Sequence, residues 1–151
     1  MVNLKTAYFQ CIGGASGDMF LGALIDVGLS VSDLSSSLAA LDVDGFHLSA
    51  KRDRRGSITG TLVSVTIDKR APRFQRIQDL LHIVTNSSLP QRVVDGSVRV
   101  FRRLGEAEAG AHGVSSEDVT LHELGSVDTL VDVVGALLGL DMLGVERVYA
   151  S

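Results

Sequence analysis

Tryptophan is absent, and aromatic side chains make up only 5% of the 151 residues. That leaves no stacking platform for single-stranded nucleic acid. A net charge of −4, from 14 basic and 18 acidic side chains, argues in the same direction. The single cysteine, Cys11, excludes an internal disulfide framework and fits a reducing compartment. No apolar run reaches the ~18 residues that a membrane span requires. The longest, Leu130–Leu143, is interrupted by Asp132, Gly135, Gly139 and Asp141. The first residues, Met-Val-Asn-Leu-Lys-Thr, lack the basic-then-apolar order of a secretory signal. These absences lead to the expectation of a cytoplasmic protein with neither nucleic acid nor membrane as partner.

What is present is a substantial apolar fraction, 45%, enough to bury a core in a single domain spanning residues 1–151. Thr6–Ile12 reads as a short buried strand running into glycines. Asp18–Val27 is apolar on nearly all sides, as a helix buried on several faces is, and Gly28 is placed to stop it. Ser30 or Ser32 caps a second helix carrying Leu34, Leu38 and Leu41. Phe46–Lys51 and Thr61–Asp68 both alternate, predicting an antiparallel hairpin with one wet face and a loop over Arg52–Gly60. After Pro72 an amphipathic helix runs from about Ile77 to Asn86. Another, with Pro90 in its first turn, runs to His112. Asp128–Met142 is the last helix, and Glu146–Ser151 a final strand. The expected fold is α+β: a small mixed sheet with an antiparallel hairpin, packed by about five helices. Strand–helix units at both ends of the chain make a layered α/β arrangement the alternative.

The residues able to carry chemistry fall in three places. First come Gly13, Gly14, Ser16, Gly17 and Asp18, between a strand and a helix. Glycines let a backbone approach a ligand closely, and a helix mouth carries unpaired N–H groups. One reading is a phosphate cradle with Asp18 holding a metal ion. The other is a tight turn with Asp18 as cap. The P-loop lysine and the dinucleotide-fingerprint spacing are both missing. Second is His122-Glu123, followed by Asp128 and Asp132, which share a helix face. Asp132 sits in an apolar stretch, where a carboxylate needs a cation or an arginine partner. Third is Glu108 with His112, four apart: a possible ligand pair or a surface contact at a helix end.

Three segments in order then resemble one family: Gly14-Ala-Ser-Gly-Asp-Met-Phe-Leu-Gly-Ala-Leu-Ile-Asp-Val-Gly28, Glu108-Ala-x-x-His-Gly113, and His122-Glu-Leu-Gly-Ser-Val-Asp-Thr-Leu-Val-Asp-Val-Val-Gly135. They resemble the N-terminal part of the nickel-insertion proteins that mature the nickel-pincer nucleotide cofactor of lactate racemase. The resemblance implies a lyase-class cyclometallation: Ni(II) enters a pyridinium bis-thiocarboxylate mononucleotide, dependent on CTP and Mg(II) or Mn(II). It implies catalytic roles for Asp18, His122 and Glu123, and cofactor contacts from Gly14, Ser16 and Gly17. Metal contacts would come from His122, Glu123, Asp128, Asp132 and His112. It also implies a longer protein, with a C-terminal nucleotide-binding domain absent here as a partner, an isolated fragment without activity, and room for a homo-oligomer. The chain departs from the family pattern at Gln10, at Phe74–Arg76 and at Thr120, where the family carries an aspartate and histidines. A non-catalytic assembly domain or a metal-delivery domain is the alternative.

Overall fold

The computed structural model describes residues 4–151. Its elements follow in the order β1 (Thr6–Phe9), α1 (Gly17–Asp26), α2 (Val31–Leu38), β2 (Phe46–Arg55), β3 (Ile58–Ile67), α3 (Ile77–Thr85), α4 (Gln91–His112), α5 (Val127–Met142) and β4 (Arg147–Ala150). The class is α+β with five helices, as the sequence implies. The strands form two separate pairs. β1 pairs in parallel with β4, and β2 pairs antiparallel with β3.

α5 is the axis of the core. Val127, Leu130, Val131 and Val134 are fully buried, and α1, α2 and α4 all pack against it. α1 is apolar on nearly all sides because it lies between two partners, α5 and β3. It ends in a Schellman motif. Gly28, at φ +112°, donates to Ile25, and Leu29 donates to the Leu24 carbonyl at 3.1 Å. Leu24 and Leu29, both buried, make the apolar contact that accompanies this cap. On the hairpin, Leu48, Ala50, Val63 and Val65 face inward while His47, Ser49 and Ser64 face solvent.

Two expectations about strands need correction. The hairpin does not open at Arg52. Its ladder continues to Arg55 opposite Ile58, leaving a tight turn over Gly56 and Ser57. Lys51, Arg52, Arg54 and Arg55 are therefore strand residues and not a loop tip. Alternation fades there because the distal end of the hairpin projects beyond the core, and nothing rewards an apolar inner face. The first strand ends at Phe9 and is not buried, with Tyr8 65% exposed. It has one neighbouring strand, whereas a buried parallel strand is flanked and covered on both faces.

α1 is held to the hairpin by a polar clamp as well as by packing. Asp26 accepts from the Thr61 hydroxyl at 2.7 Å and from the Thr61 N–H at 3.1 Å, and it pairs with Arg52. These Thr61 hydrogen bonds, with the Arg52 charge, hold the Asp26 carboxyl below its usual range, against partial desolvation. One turn earlier the helix backbone touches β3, and a methyl group on Gly22 would overlap the Thr61 carbonyl oxygen. Gly22→Ala should therefore destabilise the chain by about 2 kcal/mol in urea denaturation, the usual scale of core overpacking. Gly110→Ala, in α4 with open space around it, should be neutral or stabilising by up to ~1 kcal/mol through helix propensity.

Candidate functional site

α1 and α5 begin with the same chemistry. Ser16 and Ser126 are the N-caps, each in extended conformation, and each is followed two residues later by an aspartate, Asp18 and Asp128. An acid in a first turn is favoured by the helix dipole. Asp18 is thus not the cap but the second helical residue. It accepts from the Met19 N–H at 2.9 Å and from the Ser16 hydroxyl. Ser126 accepts from the Thr129 N–H at 3.3 Å.

The two helix mouths meet. Gly17 lies so close to Asp132 that a Cβ on it would overlap the carboxyl group itself. Asp132 is one turn along from Asp128, so Asp18, Asp128 and Asp132 form one acidic group drawn from opposite ends of the sequence. No arginine reaches it. Arg52 goes to Asp26, Arg92 to Asp141 and Arg103 to Glu106. The arginine partner considered for Asp132 is therefore not found among the described residues. Its Oδ1 is buried without any hydrogen bond.

The energetics follow. Burial, then the neighbouring charges of Asp128 and Asp18, push the Asp132 carboxyl up to about 6. Burial, then the charge of Asp18, raises Asp128 as well. Every charge credited with these shifts is negative. A divalent cation close to these carboxylates would act in the opposite direction, favouring their charged forms. Among the described residues, no three histidine, cysteine or acidic side chains stand as a ready coordination shell.

The histidines form a second group. His112, the last residue of α4, lies with its ring centroid 5.4 Å from that of His122, and its Nε2 is 3.9 Å from Glu108 Oε2. The loop carrying His122 and Glu123 is fixed by backbone pairing with the segment before α3. Phe74 N–H donates to the Gly125 carbonyl and Leu121 N–H to the Gln75 carbonyl, both at 2.8 Å. Arg73 donates to the His122 carbonyl at 3.0 Å. The departure at Phe74–Arg76 thus falls on the strip that supports this loop. Glu123 is exposed and has no recorded partner. His122 precedes Asp128 by six residues, so the two groups stand within ~20 Å of one another along the chain. Among the described residues no hydrogen bond or ion pair joins His122 or Glu123 to Asp18.

Gly14, at φ +85°, turns the chain after β1 and donates to the Cys11 carbonyl at 3.0 Å. A cleft of about 420 Å³ then opens between the mouth of α1 and the distal hairpin, with Ser16 and Asp18 on one wall and Asp53, Arg55 and Thr61 on the other. In the sequence the basic run Lys51–Arg55 reads as a contact for a nucleotide phosphate or, more simply, as a solvated hairpin end, and Asp53 carries no signal of its own.

An α+β domain whose first and last helices converge on an acidic mouth is the class that fold and site define. Comparison with known proteins takes this further. The profile of the family described as nickel insertion protein matches residues 7–151. A relative from Roseiflexus castenholzii is 45% identical over 147 residues, and one from Syntrophobacter fumaroxidans 46% over 148, and the names of both assign them to nickel insertion. A third, from Desulfitobacterium hafniense, is 42% identical over 149 residues and is named pyridinium-3,5-bisthiocarboxylic acid mononucleotide nickel insertion protein. These matches cover 97–98% of this chain but 37–38% of the relatives. No solved structure gives a significant match. The chain belongs to the nickel insertion protein family.

The raised Asp132 carboxyl has a measurable consequence. Its folded value, about 6, lies above the 3.8 of an unperturbed carboxyl. Folding is therefore favoured by this group below pH ~4, and that advantage is lost as pH climbs through 6. Asp132→Asn removes the penalty. The variant should match the parent at pH 4 and exceed it at pH 7.5 by on the order of 1–2 kcal/mol, after allowance for solvent screening at this half-buried site. Urea denaturation at the two pH values measures the difference.

Proposed function

We propose that this chain is the part of a nickel-inserting enzyme that gathers the metal ions for cyclometallation of a pyridinium bis-thiocarboxylate mononucleotide, yielding the nickel-pincer cofactor of lactate racemase. Family membership and the printed name of the Desulfitobacterium relative support the substrate class. The observation that carries the reading for this chain is the convergence of Asp18, Asp128 and Asp132 at two helix mouths, with an orphaned buried oxygen and no basic partner among the described residues.

The two side-chain groups suit two kinds of ion. Carboxylates suit a hard ion, Mg(II) or Mn(II), of the sort that accompanies a nucleoside triphosphate such as CTP. Imidazoles suit nickel, the cargo of the reaction. In this reading Asp18, Asp128 and Asp132 hold the hard ion. Ser16, with Gly14 and Gly17 beside it in the turn, would receive a phosphate, and Arg55 lines the same cleft as Ser16. His112 and His122, with Glu123 beside them, receive nickel before its transfer to the two thiocarboxylate sulfurs and the ring carbon. Forming the carbon–nickel bond displaces a ring proton, and a carboxylate of the acidic group, Asp18 foremost, is a suitable acceptor. The partners are then the mononucleotide precursor and the remainder of the full-length protein.

A second reading, an assembly domain that positions a catalytic half, draws on the lack of a ready three-ligand shell among the described residues. Calorimetric titration separates the two. Mn(II) should bind the chain and lose at least ~10-fold in affinity in Asp132→Asn, since removing even a group that only supports a ligand costs that much. Ni(II) binding should survive that change and be lost in His122→Ala. If neither ion binds the parent chain, the metal-gathering reading fails and the assembly reading stands.

A further inference from the structure

The parallel pair β1–β4 lacks the cover that parallel strands normally have. Such sheets carry helices on both faces and further strands at their edges. Here Ala7 and Phe9 face the core, while on the other face Tyr8 and Tyr149 stand side by side in register, 65% and 54% exposed. The free edge of β1 is also formed like a receptor. A groove of about 550 Å³ runs along Lys5–Gln10, floored by Ala23 and Leu24 of α1 and its C-cap Val27 and closed by Leu143 and Val145. Apart from Lys5 its lining is uncharged. Val27, on its floor, is 71% exposed.

The backbone of this edge is unspent. The Lys5 and Phe9 carbonyls bond to β4, accepting from Glu146 and Ser151. By alternation the N–H and C=O groups of Thr6 and Tyr8 point to the open side. An exposed strand edge beside an apolar trough is a template for strand addition. The occupant is suggested by length. The curated relatives run to well over twice the matched span, which is 37–38% of their residues.

We propose that the β1 edge receives an additional strand, apolar on its α1-facing side, supplied by the part of the full-length protein that this chain does not span. The added strand hydrogen-bonds to Thr6 and Tyr8, lays its side chains over Ala23 and Val27, and joins the two portions of the protein through one continuous sheet. It would also stiffen the strand that leads into the Gly14 turn.

Hydrogen exchange with mass spectrometry, run beside sedimentation, tests this with this chain and the complete Roseiflexus castenholzii relative. In the 151-residue chain the amides of Thr6 and Tyr8 should exchange freely and the chain should sediment as a monomer. In the full-length relative the corresponding amides should exchange at least ~100-fold more slowly, as those of a paired interior strand do. Equal exchange in the two proteins overturns the proposal, as does protection confined to the β4 strand. Concentration-dependent protection of Tyr8 in the short chain, with dimers in sedimentation, overturns it in favour of a second copy as occupant. A Val27→Lys variant of this chain, altered only at an exposed position, should keep the parent's melting temperature and remain monomeric. Conversion of a dimeric parent to a monomer by this change would likewise mark the groove as a self-association surface.

Discussion

Everything in this domain depends on how closely α1 is pressed between α5 and the hairpin. The contact works because backbone, not side chain, lies at the points of nearest approach: Gly22 over the Thr61 carbonyl, Gly17 over Asp132, and Gly135 and Gly139 of α5 against Leu21 and Leu24. A helix with side chains at these places would stand off by an ångström or more. The leucines of α1 would then lose their contact with Val131 and Val134, which α5 keeps fully buried. Asp18 would also move away from the carboxylates with which it interacts. Packing and site geometry are thus the same constraint. The glycines that appear in the sequence as a candidate ligand loop are at least as much a requirement of helix docking.

The electrostatic consequence runs against stability. Two helix N-termini each present about half a positive charge, which offsets part of the repulsion among three carboxylates. It does not offset all of it, since Asp128 and Asp132 are both raised by burial and by neighbouring acids. A protein selected only for stability would place an asparagine or an apolar residue at position 132, in the middle of Leu130-Val-Asp-Val-Val134. An uncompensated acid in such a place carries a cost that no hydrogen bond or ion pair among the described residues offsets. Asp26 is the instructive contrast. It is also an acid on α1, but with Thr61 and Arg52 around it its carboxyl is lowered, and its role is accounted for by the clamp it makes.

Much of this arrangement was legible in the sequence where periodicity reports burial. Glycine stops at 28, 113 and 144 mark the ends of α1, α4 and α5, a serine cap marks the start of α2, and apolar spacing alone marks α3, while Pro90, expected in the first turn of α4, is its N-cap. The strands were less legible, for identifiable reasons. Beyond Lys51 the hairpin leaves the core, so its alternation disappears while its ladder continues to Arg55. β1 carries Ala7, Tyr8 and Phe9, which read as buried, yet it has one strand neighbour and an open face. At the site, the partial burial of Asp132 was legible because a lone acid in an apolar helix is a local signal. The pairing of His122 with His112 and the approach of Gly17 to Asp132 were not visible, since both are products of tertiary docking.

The parallel strand pair explains how such distant segments come to act together. Thr6–Phe9 and Arg147–Ala150 lie in register, Lys5 donates to the Leu143 carbonyl, and the Cys11 N–H donates to the Ser151 hydroxyl at 3.0 Å. These contacts join the start of the chain to its end immediately before the Gly14 turn and immediately after α5. The turn can therefore place Ser16 and Asp18 only where α5 already presents Asp128 and Asp132. Closing a loop of this length carries an entropic cost that grows only slowly with the number of residues enclosed. A modest parallel pair, aided by the buried α1–α5 contact, is enough to hold it. The acidic mouth is thus a property of the closed chain. Neither the glycine turn nor the His-Glu and Asp segment contains it alone, and whatever strengthens the β1–β4 pair also fixes the spacing of its carboxylates.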